Sequence, residues 1–134
     1  MSKKKNETVL VVDDEINILS FISDSLSHSG YKVITASTAE EALRIINSAN
    51  EKIDLLLTDI VLPGLKGHEL AERLLAICPG TRLLFMSAYI CPTIASKNSY
   101  YRQESFLQKP FTPKTLASKI KKVLATEQRS EAAN

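Results

Sequence analysis

Two kinds of segment alternate along the chain. Short continuous apolar runs occupy 8–12, 31–35, 53–58, 82–86 and 105–107. They are rich in β-branched residues and apolar at successive positions, the pattern of strands buried on both faces in a parallel sheet. The segments between them have helical period. Ile16, Leu19, Ile22 and Leu26 step by three or four and stop before Ser29-Gly30, a helix C-terminus signal. Ala39, Ala42, Leu43 and Ile46 follow Thr38, a suitable N-cap, and Glu41 three residues on completes a capping box. Leu70, Leu74 and Ile77 form a third stripe, closed by Cys78-Pro79-Gly80. Leu116, Ile120, Val123 and Leu124 form the last, opened by Thr112-Pro113 with proline at the first helical position.

The remaining connection, 92–103, is polar and shows no clear apolar stripe, so any helix there is expected to be marginal and mobile. Five strand–helix pairs in sequence predict a doubly wound α/β domain over 7–126. Its parallel sheet is covered on both faces and joined by right-handed crossovers. The stretches 1–6 and 127–134 read as polar tails.

At 134 residues the chain suits one domain. With 44% hydrophobic and 24% charged residues it is neither disordered nor fibrous. No apolar run approaches the roughly 18 residues needed to cross a bilayer. The charged start, Met1-Ser2-Lys3-Lys4-Lys5, precedes too short an apolar run for a secretory signal, so the expected location is cytoplasmic. The net charge is +2, and Lys3, Lys4 and Lys5 supply all of it: without them basic residues no longer outnumber acidic ones. A nucleic-acid binder should carry its basic face on the folded body. The Lys119, Lys121 and Lys122 cluster reads more simply as the solvated end of a helix. No direct contact with nucleic acid or membrane is expected. Cys78 and Cys91 match no metal-ligand spacing and are read as unpaired thiols; His28 and His68 are read as surface histidines.

In a doubly wound sheet, ligands bind beyond the carboxyl ends of the strands. The first predicted strand runs into Asp13-Asp14, the third into Asp59, the fourth into Ser87-Ala88 and the fifth into Lys109-Pro110. Three carboxylates, a hydroxyl and an ammonium thus gather at one edge of the domain. Carboxylates so close repel one another unless a cation joins them. An all-oxygen set of this kind suits a hard ion such as Mg²⁺, which commonly serves phosphoryl chemistry. A carboxylate can itself accept a phosphoryl group. The chain has no glycine-rich phosphate loop.

Asp13-Asp14 after an apolar strand, Asp59 followed by Pro63 and Gly67, Ser87-Ala88, and Phe106-x-x-Lys109-Pro110-Phe111 together resemble a response-regulator receiver domain of two-component signalling. The resemblance covers 7 to about 126. Leu84-Phe85-Met86-Ser87-Ala88-Tyr89 and the stretch from Phe106 to Pro113 look most like receivers of hybrid sensor histidine kinases. This likeness implies a flavodoxin-like (βα)5 fold with sheet order 2-1-3-4-5. It also implies that Asp59 accepts a phosphoryl group from a histidine kinase or histidine phosphotransfer protein. Mg²⁺, with Mn²⁺ as a substitute, would be held by Asp14, Asp59 and the main-chain carbonyl of Val61, and by Asp13 mainly through water. Lys109, Ser87 and Ala88 would bind the phosphoryl group. Phe106 would move inward with Ser87 as the surface switches, and Pro110 would follow a cis peptide. The domain would be a monomer or weak dimer, either free-standing or part of a hybrid kinase. Leu62, Ser87 and Phe106 depart from the commoner Met, Thr and Tyr of the family, and the stretch between Tyr89 and Ser105, with Tyr100-Tyr101, is the least typical.

Blander readings exist for each residue alone. Asp13 and Asp14 could cap the first helix, Asp59 could be a loop carboxylate, and Lys109 a surface lysine. Two other functions compete. A phosphohydrolase with an aspartyl intermediate would need a general acid two residues past the nucleophile, where Val61 stands. A pseudo-receiver acting by protein contacts alone would have no use for an intact acidic set.

Overall fold

The computed structural model describes residues 7–48, 52–88 and 106–125. The elements are β1 (Thr8–Val12), α1 (Ile16–His28), β2 (Lys32–Ala36), α2 (Ala39–Ser48), β3 (Leu55–Asp59), β4 (Val61–Leu62), β5 (Leu65–Lys66), α3 (Gly67–Ile77), β6 (Arg82–Ser87), β7 (Phe106–Gln108) and α4 (Pro113–Ala125). Five strands form one sheet in the order β2-β1-β3-β6-β7, every pair parallel. Counting only those five, this is the order 2-1-3-4-5. β4 and β5 form a separate two-stranded antiparallel hairpin, which the apolar pattern had not indicated. The predicted marginal helix at 92–103, Cys91 and Tyr100-Tyr101 lie outside the described residues.

Strand alternation sorts the core into two layers. Val9 and Val11 of β1, Leu55 and Leu57 of β3, Leu84 and Met86 of β6 and Leu107 of β7 pack with Leu19, Ile22 and Leu26 of α1 and Leu116, Ile120 and Val123 of α4. Leu10, Val12, Leu56, Ile60 and Phe85 face the other way, onto Ala42 and Ile46 of α2 and Leu70 and Leu74 of α3. The central strands β1 and β3 are buried on both sides, whereas edge strand β2 exposes Lys32 and Thr35.

Several boundaries differ from the apolar runs by one or two residues. Tyr31 packs into the core but precedes β2, because its N–H donates to the Leu26 carbonyl and closes α1. Gly30, at φ 96°, supplies the left-handed turn there. Ile53 is buried ahead of β3. Two stripe residues are not core: Ile16 and Ile77, at the first and last positions of their helices, are 63% and 48% exposed. The capping box of α2 is displaced by one residue. The Thr38 hydroxyl accepts from the Glu41 N–H at 3.0 Å, but the Glu41 carboxylate accepts from the N–H of Ser37. Thr112 opens α4 as expected, its hydroxyl accepting from the Thr115 N–H at 3.1 Å.

Candidate functional site

The strand parity that builds the core also aims the charged residues. Asp13 continues the side of β1 carrying Val9 and Val11, Asp59 that of Leu55 and Leu57, and Lys109 that of Leu107. All three therefore leave the sheet toward the α1 and α4 layer. Ser87 and Phe106 have the opposite parity, that of Phe85 in the α2 and α3 layer, and Phe106 packs there, half-buried. The strand-end residues thus share one edge but divide between its two faces.

Asp13, Asp14 and Asp59 each offer a carboxylate oxygen, and the three atoms lie within 4.8 Å of one another. Asp13 is fully buried, Asp59 half-buried and Asp14 exposed. The Lys109 ammonium donates to Asp13 Oδ2 at 2.7 Å and to Asp59 Oδ2 at 2.9 Å, with Glu15 Oε1 at 3.9 Å. Burial pushes the Lys109 pKa down, but hydrogen bonds and attraction to Asp13 and Asp59 outweigh it and hold the amine above its ordinary value. The lysine stays charged and partly neutralises the carboxylates.

The remaining oxygens are also held. Asp13 Oδ1 accepts from the Glu15 N–H at 2.8 Å, and Asp59 Oδ1 from the Val61 N–H at 3.2 Å. Neither aspartate caps α1: Glu15 is its N-cap residue, without a side-chain bond. Val61 stands at the start of the β4–β5 hairpin, 64% exposed. The hairpin returns to its own origin, because the Gly67 N–H donates to the Ile60 carbonyl at 2.6 Å. Ser87 ends β6, and its carbonyl accepts the Lys109 N–H at 2.8 Å. Ala88 follows, exposed, and the Lys109-Pro110 peptide is cis.

The donor set fits a hard divalent cation. Three carboxylates of graded exposure leave Asp14 facing solvent and Asp13 anchored, an all-oxygen arrangement suited to Mg²⁺ or Mn²⁺. Glu15 escaped the sequence reading, although Asp13-Asp14-Glu15 is a run of three acids. So did the pairing of Lys109 with Asp13, which no spacing encodes.

Residues 9–121 match the family described as the response regulator receiver domain. The chain belongs to that family. The alkaline phosphatase synthesis transcriptional regulatory protein PhoP of Bacillus subtilis is 34% identical over 128 residues, 96% of this chain and 51% of that protein. The sensor kinase CckA of Brucella abortus is 32% identical over 117 residues, 87% of this chain and 12% of the kinase. The chain thus spans about half the length of one relative and a small part of the other. The crystal structure of a CheY-like receiver from Methanospirillum hungatei JF-1 superposes with a TM-score of 0.80 at 33% identity, covering 95% of this chain and 99% of that one. Receiver relatives thus occur both in transcription regulators and in a sensor kinase. Among the described residues of this receiver, no helix is long and apolar enough to cross a membrane.

Proposed function

We propose that this receiver takes a phosphoryl group onto Asp59 from the phosphohistidine of a histidine kinase or histidine phosphotransfer protein, separate or joined in a hybrid kinase. The supporting observation is the Lys109 ammonium, tied to Asp59 and Asp13 beside a three-carboxylate cluster. An Asp59 oxygen attacks phosphorus, the P–N bond breaks, its electron pair returns to the imidazole, and an acyl phosphate remains on Asp59. Mg²⁺ held by Asp14, Asp59 and the Val61 carbonyl, with Asp13 acting mainly through water, would supply positive charge against the phosphoryl oxygens. Lys109, 2.9 Å from Asp59 Oδ2, gives a second positive charge. The Ser87 hydroxyl and the neighbouring Ala88 receive the remaining phosphoryl oxygens, and the β6–β7 pairing carries the change to Phe106.

Two features support an acceptor over a phosphohydrolase. Val61 offers Asp59 only its backbone N–H, with no side-chain acid to protonate a leaving group. The family is also one of phosphoacceptors. Intact mass after incubation with Mg²⁺ and phosphoramidate tests the proposal. One phosphoryl group should appear, and be absent with EDTA or in Asp59→Asn. Incorporation that survives in Asp59→Asn would move the acceptor elsewhere. Catalytic release of phosphate from external esters would favour the hydrolase.

A further inference from the structure

The parity that points Asp59 toward Lys109 points the preceding residue, Thr58, into the α2 and α3 layer. There it is completely buried, one of few polar residues so placed among the described residues. The β1–β3 pairing ends at Val12 opposite Thr58, so the Asp59 carbonyl lies one residue beyond the last matched pair. The Thr58 hydroxyl donates to that carbonyl at 3.0 Å. The first residue of α3 closes on the same atom: a Cβ on Gly67 would lie 2.5 Å from it. The Asp59 peptide is therefore held by a buried hydroxyl and a close-packed glycine on the face opposite its carboxylate.

We propose that Thr58 is a positioning residue for the phosphoacceptor: its buried hydroxyl, bonded to the Asp59 carbonyl against Gly67, fixes the direction in which the Asp59 carboxylate leaves the strand. The idea rests on Asp59 being the acceptor. Fixing the carbonyl fixes the backbone torsion beside Cα, and hence the Cα–Cβ bond on which the carboxylate swings. Reactions at a positioned nucleophile are sensitive to such small displacements.

Two substitutions separate the hydroxyl from the shape it fills. Thr58→Val keeps the volume and loses the donor; Thr58→Ser keeps the donor and loses a methyl. The readouts are the rate of phosphoryl uptake from phosphoramidate by intact mass and Mg²⁺ affinity by calorimetry, with thermal melts confirming folding. Thr58→Val should slow uptake about tenfold and weaken Mg²⁺ binding several-fold, because Asp59 serves both, while Thr58→Ser stays within about twofold of wild type. A Val variant with wild-type uptake and Mg²⁺ affinity, or a Ser variant as impaired as Val, would overturn the role. If the wild type took no phosphoryl group, the acceptor reading itself would fail, and the Mg²⁺ comparison would still decide whether Thr58 orients Asp59.

Discussion

Replacing Lys109 by methionine keeps the length of the side chain and removes its charge. The Lys109 side chain is only 12% exposed, and its ammonium holds Asp13, 0% exposed, and Asp59, 17% exposed, at 2.7 and 2.9 Å. Removing one partner of a fully buried ion pair costs about 3–5 kcal/mol, because the other charge is left without compensation. Residual solvent contact at Lys109 and Asp59, and the Glu15 N–H on Asp13, lower the expected loss to about 2–3 kcal/mol. At this chain length that is a fall in Tm of roughly 6–12 °C. A divalent cation should reverse part of it. With the competing ammonium gone, a tenfold gain in Mg²⁺ affinity would add about 1.4 kcal/mol of stability at saturation beyond the increment seen in wild type. The pH dependence has a definite sign. A folded-state pKa raised above the ordinary 10.5 means that the lysine's contribution is fully present below that value. It is lost only as pH rises through the folded pKa. The stability gap between wild type and Lys109→Met in EDTA should therefore stay level from about pH 7 to 9 and close only above the ordinary lysine range. Urea unfolding of both proteins, with EDTA or Mg²⁺, measures every quantity. Equal stability in EDTA would refute the stabilising role of the triad, and equal Mg²⁺ increments would refute competition between lysine and cation.

The two glycines around the hairpin should respond differently to alanine. At Gly67 a Cβ would meet the Asp59 carbonyl at 2.5 Å and Ile60 Cα at 3.1 Å, so backbone must move; Gly67→Ala should cost about 1–3 kcal/mol in urea unfolding and slow phosphoryl uptake. Gly64 has open space around it but a φ of 83°, so Gly64→Ala should cost about 1 kcal/mol from strain alone, and Gly64→Asn less, with uptake unchanged in both. The buried Thr81 hydroxyl donates to the Ile53 carbonyl at 2.6 Å; Thr81→Val should lose about 1–2 kcal/mol of stability without affecting uptake.

The elements were legible because burial on both faces leaves an uninterrupted apolar run, and β1, β3 and β6 have that burial. The edge strands were harder. β2 is half solvent-exposed, and its neighbour Tyr31 is apolar and buried without being strand, so hydrophobicity placed the boundary one residue early. The β4–β5 hairpin has two-residue strands, too short for any period to register. At the site, strand ends located the acids and the lysine, since a parallel sheet brings all carboxyl ends to one edge. That the lysine grips both Asp13 and Asp59 depends on where the ends of β1, β3 and β7 fall relative to one another across the sheet, information that pairwise spacing lacks. Thr58 was overlooked for a related reason: inside an apolar strand a lone threonine looks like β-propensity, and its bond becomes visible only when β1 ends one residue short of Asp59.

Parity also bears on how a change at Asp59 could reach the surface. Asp59 and Lys109 lie on the α1 and α4 side, whereas Ser87 and Phe106 belong to the other side. A signal passing from the carboxylate to Phe106 therefore changes sides at the sheet edge, through a phosphoryl oxygen reaching the Ser87 hydroxyl and through the backbone beside it. The Ser87 carbonyl accepts the Lys109 N–H, Phe85 pairs with Phe106, and the Ile60 N–H donates to the Met86 carbonyl at 3.0 Å. A pull on the Lys109 ammonium is thereby a pull on the last ladder bond between β6 and β7, two residues from the Phe85–Phe106 pair. Because Phe106 has no hydroxyl, its response can only be repacking against that core. On this reasoning Phe106→Tyr should leave phosphoryl uptake near wild type while altering the ring's NMR response to phosphorylation, since the added hydroxyl disfavours the buried position. An identical ring response in the two proteins would mean that the ring does not move inward.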